Sequence, residues 1–190
     1  MKKYELTNET KTLAGGTVLH RIRALRDIPR FGVKAGELGG FVEEENNLSQ
    51  DGDAWVFGNA WVSGNACVFG NACVYGDAEV YGDAKVCGNA EVYGDAKVLG
   101  DAKVLGDAKV ENGHDYFVAK NTWSSLRWYT YTRSNKKWAV GCFYGTGEEL
   151  VAKAYKDSKL SGKCYEAIVH AVETIEAAKA EAKGEPNGSK

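Results

Sequence analysis

Histidine is scarce in this chain of 190 residues: His20, His114 and His170 are the only three, and none falls between residues 51 and 110. General-base chemistry favours a group that titrates near neutrality, and an open catalytic zinc site needs about three converging protein ligands. Three histidines in three separate regions supply neither, so no catalytic residue, metal site or cofactor is expected. The cysteines point the same way. Cys67, Cys73, Cys87, Cys142 and Cys164 are odd in number and include no C-x-x-C pair, which predicts free thiols in a reducing compartment. Residues 1–9 hold no apolar run of the kind a signal peptide needs, and no stretch reaches membrane-spanning length. A cytoplasmic protein with no membrane partner is the expectation. Arginine is missing from residues 51–110, which carry nine acidic side chains and four lysines.

What the middle of the chain does have is a period. From Asp53 to Val110 the phrase Gly-Asp/Asn-Ala-x-Val-x repeats ten times without an insertion, with valine at every sixth position from Val56 to Val110. A fixed internal period signals a solenoid, whose units gain a core only by stacking on their neighbours. Valine and the alanine four residues on both point inward, while glycine and Asp/Asn supply the tight corner between them.

This phrase resembles the hexapeptide-repeat proteins, which implies a triangular left-handed parallel β-helix with about 18 residues per coil and strands about 4.8 Å apart. Residue n then lies beside residue n+18. The expected fold class is mainly β. An N-terminal β-hairpin cap covers residues 1–35, the repeat helix 36–112, a small C-terminal α+β domain of three strands and two helices 113–183, and a flexible tail 184–190. In the C-terminal domain the expected strands are residues 116–118, 126–133 and 138–143. A capping-box pattern, Thr146-Gly147-Glu148-Glu149, opens a first helix to about Asp157, and Ser161 opens a second. Gly36-Glu37-Leu38-Gly39-Gly40-Phe41-Val42, Asn47-Leu48-Ser49 and Gly52-Asp53-Ala54-Trp55-Val56 further resemble hexapeptide-repeat proteins carried by prophages and gut bacteria, many of them named transferases from the repeat alone. That resemblance implies a virus-associated protein that binds a host protein, with inhibition of a bacterial defence complex as one form.

Three function classes follow. In the first, a non-catalytic scaffold binds a protein through an exposed aromatic patch of Trp55, Trp61 and Phe69, which otherwise meets the chain's own N-terminal segment, and through the corner aspartates Asp77, Asp83, Asp95, Asp101 and Asp107. Acidic corners at regular spacing imitate nucleic-acid phosphate to a basic partner. In the second, the C-terminal domain binds nucleic acid. Trp138-Ala139-Val140-Gly141-Cys142-Phe143, Glu148-Glu149-Leu150 and Ala154-Tyr155 loosely resemble the AP2-type DNA-binding domain, implying contacts from Arg127, Trp128, Arg133, Lys136 and Lys137. Its first strand lacks that family's dense arginines, and the helix from Ser161 has no place in the minimal form. The third class is a CoA-dependent acyltransferase working across a subunit interface, the activity of many enzymes with this repeat. Such relatives are usually trimers, while the stripe Tyr165, Ile168, Val169, Val172 and Ile175 on the last helix would equally pair two subunits or cover the domain's own sheet.

Overall fold

The computed structural model describes residues 2–184. The chain opens as an antiparallel hairpin of β1 (Tyr4–Thr12) and β2 (Val18–Ala24), and β2 pairs in turn with β3 (Leu38–Val42). Ten two-residue strands then recur at six-residue spacing and stack into three parallel sheets. The first face continues from β3 through β5 (Trp61–Val62), β8 (Glu79–Val80) and β11 (Lys97–Val98). The second holds β4 (Trp55–Val56), β7 (Cys73–Val74), β10 (Glu91–Val92) and β13 (Lys109–Val110). The third holds β6 (Cys67–Val68), β9 (Lys85–Val86) and β12 (Lys103–Val104). Val56 pairs with Val74, Val74 with Val92 and Val92 with Val110, so the n+18 register expected from the repeat is the one observed.

The solenoid core is as uniform as its sequence. Every repeat valine from Val56 to Val110 is fully buried, and no repeat alanine from Ala54 to Ala108 exceeds 1% exposure. A fully buried valine is worth about 1.5–3 kcal/mol, so each six-residue unit adds one such increment only when a neighbouring coil covers it. The corners demand glycine for two reasons at once. Gly88 sits at φ +78°, and a Cβ there would meet Gly106 N at 2.8 Å. At the N-terminal end the same crowding explains the Gly39-Gly40 pair, since a Cβ on Gly40 would lie 2.5 Å from the Ala60 carbonyl.

The two ends of the solenoid are closed differently. At the N-terminal end β3 lies parallel to β5, Leu48 bridges Val68, and Tyr4 and Lys3 are buried over the first coil. Lys3 Nζ donates to the Ala54 carbonyl at 2.8 Å, Tyr4 Oη to that of Leu48 at 2.7 Å, and Asn47 Nδ2 to those of Gly64 and Ala66 at 2.8 and 2.9 Å. At the C-terminal end side chains meet the backbone. Thr130 Oγ1 accepts the Lys103 N–H at 2.9 Å and Ser134 Oγ that of Lys109 at 2.7 Å, while Tyr144 Oη and Tyr116 Oη donate to the carbonyls of Leu105 and Lys97.

These side chains come from an antiparallel sheet of β14 (Tyr116–Lys120), β15 (Trp128–Thr132), β16 (Lys137–Val140) and β17 (Phe143–Gly145). Four strands stand where three were expected. Gly141 at φ +57° reverses the chain inside residues 138–143, so Val140 pairs with Phe143 and Ala139 with Tyr144. Helix α1 (Gly147–Asp157) begins at Thr146 with the expected capping box, and α2 (Lys159–Gly184) follows. Ser158, not Ser161, starts α2: its hydroxyl accepts the Ser161 N–H at 3.0 Å. The helices cover an aromatic core of Tyr129, Tyr131, Trp138 and Tyr165, with Val169 and Val172 of the expected stripe buried and Ile175 left 51% exposed. The expected tail lies, beyond Gly184, outside the described residues. No helix among the described residues is long and apolar enough to cross a membrane.

Candidate functional site

The corner residues form three columns, and their hydrogen bonds show how the structure tolerates them. Asn59 Nδ2 donates to Asp77 Oδ1 at 3.3 Å, Asn65 Nδ2 to Asp83 Oδ1 at 3.0 Å, and Asn89 Nδ2 to Asp107 Oδ1 at 2.9 Å. An amide above each first carboxylate supplies the donor that a second carboxylate lacks. Below Asp77 and Asp83 the columns continue with Asp95 and Asp101, acid under acid. Among the described residues no ion pair reaches Asp77, Asp83, Asp95, Asp101 or Asp107.

The lysines of the repeat are engaged elsewhere. Lys97 Nζ lies 3.1 Å from Glu79 Oε2 on the first face, and Lys109 Nζ 3.0 Å from Glu91 Oε1 on the second, where that carboxylate raises the lysine pKa. Lys103 Nζ donates to the Gly141 carbonyl at 2.8 Å, which leaves Lys85 exposed on the third face. The faces therefore differ in charge. Asp77 and Asp95 precede the strands of the first face and Asp83 and Asp101 follow them, so this face alone is edged by two acidic columns and has its one lysine neutralised. Tyr81 and Leu99 lie between the edges, Leu99 40% exposed. The second face carries the stacked pair Tyr75 and Tyr93, ring centroids 5.0 Å apart, with burial and Glu91 pushing the Tyr75 phenol up to about 12. Phe57, one coil before Tyr75 in the n+18 register, instead meets Phe31 edge-on.

The aromatic patch is mostly not a surface. Trp55 is fully buried beneath Tyr4, and Trp61 is 9% exposed, packed with Leu19 and Phe41 and stacked on Tyr81. The N-terminal segment covers both, which was one of the two outcomes their outward register allowed. Only Phe69 stays open, at 38%.

The basic candidates of the C-terminal domain are scattered in condition. Arg133 is tied to Glu176, with Nε 2.7 Å from Oε2 and Nη2 3.1 Å from Oε1. Lys136 is exposed at a turn with φ +52°, and Lys137 is half-buried. Arg127 is exposed, and Trp128 is exposed with the Lys120 ammonium 5.8 Å from its ring centroid. Gly141 ends the strand expected over residues 138–143, so the sheet has four strands where the domain was expected to have three.

The histidines do not meet. His20 Nδ1 lies 3.3 Å from the Thr7 carbonyl in the hairpin, His114 is exposed where the solenoid ends, and His170 is exposed on α2. Among the described residues no three His, Cys, Asp or Glu side chains are grouped to hold a metal ion. All five cysteines are unpaired thiols, and burial raises the pKa of Cys67, Cys73 and Cys87. Sequence reasoning missed the residues that close the solenoid, Lys3, Asn47, Thr130, Ser134 and Tyr144, because nothing in their local pattern distinguishes them from other polar loop and strand residues. No protein-family model matches the chain, and no curated protein is significantly similar to it.

Proposed function

We propose that this chain is a non-catalytic scaffold that takes a basic protein partner on the first face of its solenoid, between the Asp77/Asp95 and Asp83/Asp101 columns. One observation carries the reading: Glu79 and Glu91 are each matched by a lysine, while among the described residues Asp77, Asp83, Asp95 and Asp101 are matched by no cation. Solvated carboxylates without cations repel one another, and at regular spacing they raise the local concentration of a positively charged partner. Tyr81 and Leu99 between them provide the apolar centre that protein interfaces use. The hexad and the motif that precedes it support membership of the hexapeptide-repeat proteins of prophage-associated type. On that reading the partner is a host protein, such as a component of a defence complex, whose phosphate-binding surface the carboxylates occupy.

The test is capture of proteins from nuclease-treated bacterial lysate at two salt concentrations, with the wild type beside a variant carrying Asp77→Asn, Asp83→Asn, Asp95→Asn and Asp101→Asn. Asparagine already occupies corners in this chain, so the variant keeps the fold. A stoichiometric protein held at low salt, weakened by salt and lost from the variant supports the proposal. A protein bound equally by both overturns the assignment to the corners.

The exposed Trp128 with Lys120 and Arg127 beside it favours a second reading, single-stranded nucleic acid stacked on the indole. Retardation of an oligonucleotide at low salt that disappears with Trp128→Ala would favour it over the first.

A further inference from the structure

We infer that the cleft between residues 113–117, at the start of the C-terminal domain, and α2 binds a small apolar carboxylate, at a site separate from the acidic face. The cleft is about 230 Å³ and is formed where residues 113–117 pass the last turns of α2. Its walls are apolar: Tyr131 and Val172 are buried at its floor, whereas Phe117 and Ile175 are 42% and 51% exposed at its sides. Two large apolar side chains left open around one concavity are the usual lining of a small-ligand site, and their exposure to water is relieved when something apolar fills it.

The charges around the cleft select the sign of the ligand. Two carboxylates line it, and each has partners. Glu176 is held by Arg133 at 2.7 and 3.1 Å, and Asp115 Oδ2 accepts the backbone N–H groups of Glu111 and Asn112 at 2.9 and 3.1 Å. Glu173, which lies near Tyr131, is not part of the lining. The more loosely held cation is Lys179, whose side chain is 45% exposed and whose Nζ stands 4.0 Å from Glu176 Oε1. His114 lies on the same rim. An aromatic or short aliphatic body against Phe117, Val172 and Ile175, with its carboxylate on Lys179, fits this lining. An amine in the same place would face the Lys179 ammonium.

Phenylacetate, benzyl alcohol and phenethylamine have similar apolar bodies and differ in charge, so titrating each while following the methyl resonances of Val172 and Ile175 tests the site. The expected result is saturable shifts with phenylacetate at millimolar concentration or below, weaker shifts with the alcohol, and none with the amine. Lys179→Gln should weaken phenylacetate about tenfold, the cost of one charge-assisted contact, and leave the alcohol unchanged. Ile175→Trp, which fills the cleft, should abolish both. Both positions are exposed, and an unchanged melting temperature confirms the fold. Absence of saturable shifts with phenylacetate, binding of the amine as tight as that of the acid, or indifference to Lys179→Gln would each overturn the inference.

Discussion

The two ends of the solenoid solve one problem by different means. A stacked-strand core presents an apolar cross-section and unpaired backbone groups at either end, which invite end-to-end association unless covered. The N-terminal end is covered by more backbone: β3 extends the first face, and Lys3, Tyr4 and Trp55 fill the space above the first valines. The C-terminal end is covered by side chains, with hydroxyls from Thr130, Ser134, Tyr116 and Tyr144 reaching single N–H and carbonyl groups of the last coil. The first means couples many residues into one packed unit. The second distributes the work over separate hydrogen bonds, each of which can be lost alone.

This contrast predicts unequal sensitivity. Trp55→Ala should be the more damaging change, costing about 3–5 kcal/mol, because it empties a fully buried site beneath Tyr4 and loosens the segment that seals the first coil. Urea denaturation followed by far-UV dichroism measures it. Thr130→Val, nearly isosteric and on a residue 1% exposed, should cost about 1–3 kcal/mol, the penalty for leaving the Lys103 N–H without an acceptor. Equal losses from the two variants would break the distinction between a packed end and a hydrogen-bonded one. A further drop with Tyr144→Phe should be smaller than either, since Asn135 Nδ2 also reaches the Leu105 carbonyl, at 3.3 Å.

How far these features were legible follows the same division. The ten valines and their alanines announce themselves through a period of six, and burial then follows for each from the one before it. Trp55 and Trp61 occupy slots of that repeat whose register points outward, and whether such a slot is exposed depends on Tyr4 and Leu19, far away in sequence. Periodicity carries no information about a segment outside the period. In the C-terminal domain the helix starts were partly legible: Thr146 was identified from its capping box, but Ser158 was hidden because it ends one helix and begins the next. The turn at Gly141 was missed because Cys142 and Phe143 continue an apolar run that reads as one strand. The acidic columns were visible in the sequence, yet the pairing of Lys97 and Lys109 with glutamates, which isolates the aspartates, required the structure.

Lys3 sharpens the comparison from the N-terminal side through pH. Burial, followed by the Arg26 charge, lowers its pKa from 10.5 to about 8. The unfolded chain keeps this proton until about 10.5, so between the two values the unfolded state binds more protons and stability rises with pH. Cys73 acts in the opposite sense, because burial pushes its thiol from 9.0 up to about 11 and the folded state then holds the extra proton. The clear window is therefore pH 8 to 9. There the wild type should gain stability by less than about 1.4 kcal/mol, the ceiling for one titrating group over one pH unit, and Lys3→Met should remove that gain. A gain that survives Lys3→Met would mean that the buried ammonium is not its source.

The smallest expected effect on stability is also the one that best separates folding from function. Asp77→Asn keeps an oxygen to accept from Asn59 and adds an amide that can donate to Asp95 below, as Asn89 does to Asp107 at 2.9 Å. It removes a like-charge contact and extends a hydrogen-bonded ladder, both exposed and individually weak, so stability should rise by only about 0.2–0.5 kcal/mol. The gain should appear equally at Asp83, where Asn65 stands above and Asp101 below. If the unpaired carboxylates serve only as solvated corners, neutralising them improves the protein without loss. If they hold a basic partner, the same substitutions that raise the melting temperature slightly should reduce affinity and flatten its dependence on salt, an opposition between stability and binding that no purely structural role of these aspartates produces.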